Sequence, residues 1–211
     1  QEKLNTAAVA GADVYLTAGE YTLAKYPAGL TLVGAEDGVV FNATDKKYGV
    51  YGDVAMENVK VLFSNANYTG FQHTGVEVYK NCTIVGQPFL YGDDITFQNC
   101  TFEQASAGAY NVWTYGAKEV EFNGCTFNCA GKSVLIYHEA GINSVVTLNN
   151  CELNASAPVA GKAAIEIDSS FPNGGAGHYT VNINNTVANG FALGTVSCNS
   201  LWNEKRGDNC T

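Results

Sequence analysis

The sequence predicts an all-β protein: a single-stranded right-handed parallel β-helix, a solenoid of about seven coils that takes residues 1–211 as one domain. Three observations carry this. The chain holds 23 glycines, one methionine and only 15% charged residues, which favours strands and tight turns over helices. A six-residue phrase recurs along it, and the phrase keeps its pattern while the intervals between copies change, as coils stacked on one another allow.

The phrases in register are Leu30-Thr-Leu-Val-Gly-Ala35, Val61-Leu-Phe-Ser-Asn-Ala66, Ile95-Thr-Phe-Gln-Asn-Cys100, Val120-Glu-Phe-Asn-Gly-Cys125, Val146-Thr-Leu-Asn-Asn-Cys151 and Val181-Asn-Ile-Asn-Asn-Thr186. Val76-Glu-Val-Tyr-Lys-Asn-Cys82 joins them if a bulge adds one residue before its Asn. Apolar first and third residues with mostly polar second and fourth ones describe a strand with one buried face. The fifth residue is Asn or Gly, types that tolerate the left-handed backbone of a sharp corner, and the sixth is small. Successive sixth positions lie 31, 16, 18, 25, 26 and 35 residues apart, so loops at one corner absorb the difference.

A second strand precedes the phrase at Tyr48–Asp53, Pro88–Asp93, Asn111–Gly116, Ser133–His138 and Ala163–Asp168, and a short third follows it at Thr101-Phe102 and Thr126-Phe127. Three strands per coil, with the right-handed crossover of parallel strands, complete the expected architecture. Together with Val14-Tyr-Leu-Thr-Ala-Gly-Glu-Tyr-Thr-Leu23 and Leu30-Thr-Leu-Val-Gly34, these coils resemble the pectate-lyase-like β-helix superfamily over nearly the whole chain. The Asn-Cys-Thr-Phe coils are also similar to those of large bacterial surface proteins and phage fibre proteins. These likenesses imply a fold and carry little function.

The Cys of the phrase is expected to line the interior as a column of buried thiols. A metal site is not expected there, because CxxC pairing is missing and the only histidines are His73, His138 and His178. Cys198 and Cys210 lie outside the column and could close a 13-residue loop. Seven cysteines leave at least one unpaired. Seven Asn-x-Ser/Thr sequons, at Asn42, Asn67, Asn81, Asn99, Asn154, Asn184 and Asn209, are better explained by Asn and Thr filling turns than by glycosylation. The solenoid ends need covering. Residues 1–12 read as an N-terminal cap and 198–211 as a C-terminal cap or tail, with Leu201-Trp202 over the last coil.

With 20 acidic against 11 basic residues the net charge is -9, which disfavours nucleic acid and anionic membranes as partners. No apolar run reaches the roughly 20 residues that span a bilayer. The N-terminal QEKLNTAAVAGA lacks the regions of a secretion signal, so the segment reads as mature or excised.

Enzymes of the resembled superfamily eliminate or hydrolyse polysaccharides. Elimination there uses an Arg or Lys base, and the one arginine, Arg206, sits in the tail. Hydrolysis needs converging carboxylates, for which Asp93, Asp94, Glu139, Glu166 and Asp168 are the candidates, but the paired-Asp and Gly-His-Gly signatures of the family's hydrolases are missing. No catalytic residue, metal or cofactor is assigned.

The stronger signal is a row of aromatics on successive second strands: Tyr51, Tyr91, Tyr115 and Tyr137, with Trp113 two residues before Tyr115 and His138-Glu139 after Tyr137. Two readings stand. Rings on stacked strands pack on one another for structural reasons; facing outward beside Asp53, Asp93 and Glu139, they make a platform for sugar rings. The long connections 154–162 and 169–179, the latter with Pro172-Asn-Gly-Gly-Ala-Gly177, are candidate recognition loops. The expectation is an extracellular, cell-surface or virion module for adhesion or display that binds a glycan or host surface. A carbohydrate-active enzyme and a purely structural spacer are the alternatives, and a trimer is suggested only by analogy with fibre-like β-helices.

Overall fold

A computed structural model describes residues 1–137, 142–157, 159–168, 178–191 and 201–204. It is all-β with parallel strands in sheets, the arrangement of a solenoid. The strands form three faces. One holds Val50–Tyr51, Tyr110–Thr114, Lys132–Tyr137, Ile165–Asp168 and Trp202–Glu204. A second holds Asp13–Leu16, Leu30–Gly34, Val54–Glu57, Ala117–Asn123, Ser144–Asn149 and Tyr179–Asn184. The long strands Gly70–Lys80 and Phe89–Gln98 turn a corner and serve both. The third face runs from Gly19–Tyr21 through Val39–Ala43, Lys60–Phe63, Thr83–Val85, Thr101–Gln104, Thr126–Cys129 and Glu152–Ala155 to Val187–Asn189.

The phrase is the second face plus its corner. Phe97, Phe122 and Leu148 pair in register, so Asn99, Gly124 and Asn150 stand in line after them, and Cys100, Cys125 and Cys151 after those. Asn58, Asn81, Asn99, Gly124, Asn150 and Asn185 all take left-handed φ between 48° and 62°. A left-handed conformation costs an ordinary L-residue about 1–2 kcal/mol, which Gly avoids and Asn reduces. Asn99→Gly is therefore expected to leave the thermal midpoint nearly unchanged, since the next coil uses Gly124 there, whereas Asn99→Ala loses about 1 kcal/mol in a denaturant titration.

The sixth residue is small and also a donor. Cys82, Cys100, Cys125 and Cys151 are buried and free. Each thiol donates to the carbonyl two residues before it and to one on the preceding coil: Cys100 to Gln98 and Tyr79 at 3.5 and 3.4 Å, Cys151 to Asn149 and Phe122 at 3.4 and 3.3 Å. Thr186 continues the ladder with its hydroxyl, to Asn184 at 3.1 Å and Leu148 at 3.4 Å. The neighbouring Cys100 thiol and burial push the Cys125 thiol up to about 12, so it stays protonated and able to donate.

Inside, aromatic rings stack from coil to coil. Phe97 lies 5.3 Å from both Tyr79 and Phe122, and Phe102 lies 4.7 Å from Phe127 with their planes 11° apart. Outside, amides form ladders of their own: Asn149 Nδ2 donates to Asn123 Oδ1 and Asn184 Nδ2 to Asn149 Oδ1, each at 2.9 Å.

Three expectations need correction. Val61–Ala66 is not a copy of the phrase, because Lys60–Phe63 belongs to the third face and Ala66 is exposed. That coil's true copy is Val54-Ala-Met-Glu-Asn-Val59, in register with Leu30–Val33, with Asn58 at the corner and Val59 buried. Third-face strands share the two-residue period, so alternation alone does not tell the faces apart.

The extra residue beside the seventh phrase lies not before Asn81 but at Thr74-Gly75, where His73 pairs with Gly92 and Val76 with Asp94. A one-residue slip reverses every later side chain. Glu77 and Tyr79, in register with Ile95 and Phe97, take the inner positions, and Val76 is 66% exposed. Third, the first half of Gly70–Lys80 is a strand of the first face that is missing from the predicted second strands.

At the start of the chain, Glu2–Ala7 is helical with Leu4 buried against the core, and the Gln1 side chain bonds both the N–H and the carbonyl of Thr22. Leu201 and Trp202 pack against the core, and Trp202 pairs in register with Ile165 as part of the strand Trp202–Glu204. Cys198 and Cys210 lie outside the described residues.

Candidate functional site

The first face decides the orientation of the aromatic row. Its inner positions are Val50, Phe71, Leu90, Val112, Val134, Ile136 and Ile165, all buried in the core. Strand alternation then sends Tyr51, Gln72, Tyr91, Trp113, Tyr115 and Tyr137 to the other side. The row faces outward.

It is not one unbroken line. Tyr51 and Tyr91 both pair with Gln72, so a glutamine separates them, and the Tyr51 ring folds back over Gly49, where a Cβ would fall 2.2 Å from it. Burial raises the Tyr51 phenol above its ordinary value. From Tyr91 onward the rings touch. Tyr91 and Tyr115 lie 5.3 Å apart, Trp113 and Tyr115 5.6 Å, Trp113 and Tyr137 5.6 Å, and Tyr115 and Tyr137 6.1 Å. Two rings that the sequence did not single out complete the cluster: Phe89, 4.7 Å from Trp113, and Tyr68, 5.1 Å from Phe89.

Interplanar angles of 73° and 87° make these edge-to-face contacts, which aromatic quadrupoles favour, so the cluster is ridged. Between the ridges, Tyr68, Phe89, Tyr91, Trp113 and Tyr115 line a recess of about 260 Å³. Phe89, Tyr91 and Trp113 stand on hydrogen-bonded strands, and each ring of the recess leans on a neighbour. The rings pack on one another, and they do so on the outer surface. His138 and Glu139 lie outside the described residues, as does the loop around Pro172–Gly177.

Among the described residues the candidate carboxylates fall in two places, Glu139 lying outside them. Asp93 pairs with the Lys118 ammonium at a corner, and Asp94 stands in register with Glu119. Glu166 and Asp168 project on the aromatic side two rungs from Trp113 and one from Tyr137, both buried. Lys162 Nζ lies 2.9 Å from Glu166 Oε1, and the Tyr110 hydroxyl donates to Oε2. Burial and the Glu166 charge raise the Tyr110 phenol, keeping it a donor. Among the described residues no group of three His, Cys, Asp or Glu is gathered as a metal would require.

A second polar cluster lies beside the Thr74-Gly75 bulge, where His73 follows Phe71 inward by alternation and the bulge places Tyr79 on the same side. His73 Nδ1 donates to the Gly52 carbonyl, so its Nε2 accepts from the Tyr79 hydroxyl, 2.7 Å away. Burial lowers the imidazole to about 4. Nearby, desolvation and then the Asp53 charge raise Glu77 to about 7, while Asp53 itself, accepting from the Thr74 N–H at 2.8 Å, is held below its ordinary value.

Comparison of the chain with protein-family models, with curated proteins and with solved structures finds no match.

Proposed function

We propose that this protein is an extracellular display or adhesion module, a right-handed β-helix of about seven coils akin to the pectate-lyase-like superfamily, that binds carbohydrate on the outer side of its first face. The outward recess walled by Tyr68, Phe89, Tyr91, Trp113 and Tyr115 carries this reading. Sugar rings present C–H faces that pack on aromatic rings, and a recess of about 260 Å³ has room for one sugar of a longer chain. The net charge of -9 favours neutral glycans over acidic ones.

The test is a glycan array probed with the intact chain. Binding to a defined glycan set, weakened at least tenfold by Tyr115→Ala and by Tyr137→Ala with the thermal transition retained, supports the reading. Binding that both variants keep would move the site elsewhere, and no binding at all leaves the spacer.

A polysaccharide hydrolase or lyase is the second reading, favoured by Glu166 and Asp168 standing two residues apart beside Tyr137. Against it, Glu166 already has both oxygens engaged. Release of reducing ends or unsaturated products from polysaccharides by the intact chain would establish this reading in place of adhesion.

A further inference from the structure

At the far end of the first face, a partly exposed amine is paired with a buried carboxylate, and an amide stands in register with that carboxylate. Glu166 is 1% exposed, and its neighbour in register, Leu135, is equally buried. Lys162, four residues before Glu166, places Nζ 2.9 Å from Glu166 Oε1, and the Tyr110 hydroxyl holds Oε2. On the other side, Asn203 of the strand Trp202–Glu204 is the register partner of Glu166. Paired residues on parallel strands stand about 4.8 Å apart with side chains to the same side. The Asn203 side-chain carbonyl is buried and has no hydrogen-bond partner among the described residues. Native folds rarely leave such an acceptor unsatisfied, and one that is left asks for a chemical reason.

We propose that Lys162 and Asn203 join in an intramolecular isopeptide bond, formed by the protein itself with Glu166 carrying the protons. The Lys162 ammonium gives a proton to Glu166 Oε1, which frees the lone pair on Nζ. Nζ attacks Asn203 Cγ, and the protonated Glu166 donates to Oδ1 as negative charge develops there, the place an unpaired acceptor leaves open. Nζ then loses its second proton through Glu166, the bond from Cγ to Nδ2 breaks, and Nδ2 departs as ammonia. Ammonia takes up the remaining proton and leaves as ammonium. One ammonium and one amide become one secondary amide and one ammonium ion, Glu166 returns to a carboxylate, and no oxidant or co-reactant is needed. The product bolts the strand Ile165–Asp168 to the strand Trp202–Glu204.

Intact-mass measurement of the full chain, followed by peptide mapping, tests this. The expected mass is one ammonia below that of the sequence, with a branched peptide joining Lys162 to Asn203. Glu166→Gln, and independently Lys162→Arg, which keeps the cation but cannot form the amide, are expected to restore the full mass. Full sequence mass after prolonged incubation of the folded chain at neutral pH overturns the proposal. So does an ammonia loss that maps to Gln1 or to an Asn-Gly pair such as Asn123-Gly124 or Asn189-Gly190.

Discussion

Phe122→Ala is expected to lower the unfolding free energy by about 3–5 kcal/mol, the range for truncating a fully buried phenylalanine. Phe122 sits mid-stack: 5.3 Å from Phe97 with planes 9° apart, 5.6 Å from Phe102 and 5.2 Å from Phe127. In a solenoid each coil's interior is shared with its neighbours, so the cavity opens between two hydrogen-bonded rungs that are spaced by the backbone and cannot collapse onto it. The thermal midpoint should fall by roughly 10 °C in a chain of this length. Val76→Ala is the matched control: with Val76 66% exposed it should change stability by about 0.5 kcal/mol or less. A loss at Val76 as large as at Phe122 would mean that the register after Thr74-Gly75 is wrong.

The second large effect is acid sensitivity. His73 drops from 6.5 to about 4 on folding because the buried ring is neutral, donating to Gly52 and accepting from Tyr79. A base whose folded value is depressed contributes stability that is present above 6.5 and is lost as pH falls toward 4. The shift corresponds to about 3 kcal/mol across that window. Glu77 works in the opposite sense: raised to about 7, it favours the fold at low pH and withdraws that support as pH rises from 4.5 to 7, by an amount that its partial exposure reduces. Asp53, depressed below 3.8, acts only at more acid pH. Denaturant midpoints between pH 7 and pH 4.5 should therefore fall on acidification, fall more steeply in Glu77→Gln, and rise slightly in His73→Gln, where Glu77 alone remains. An unchanged slope in His73→Gln would show that the imidazole is not held neutral.

The candidate site was legible where a ring stood in a phrase with a recognisable end. Tyr91, Tyr115 and Tyr137 could be aligned because each closes its second strand, and Trp113 followed from Tyr115. Phe89 could not, since Pro88-Phe-Leu reads as a core run; only the pairing of Phe89 with Trp113 places it outside. Tyr68 stands in a connection with no period to read. Gln72 is not legible, nor is its strand, because Gly70-Phe-Gln-His-Thr-Gly carries neither the closing tyrosine nor a clear alternation. Asn203 gave no signal, as its meaning depends on a partner 37 positions earlier.

From Cys82 to Thr186 the residues themselves determine the coil: alternation makes the strand, Asn or Gly makes the left-handed corner, and a small donor fits behind it. Those requirements are local, and local chemistry is written in neighbouring residues. Tertiary structure decided which face each strand joins, as at Val54–Glu57 and Lys60–Phe63, and on which side of the bulge Glu77 and Tyr79 fall. A period of two states that alternate residues share a side but not which side is inside, and the answer comes only from the strands that each strand lies between.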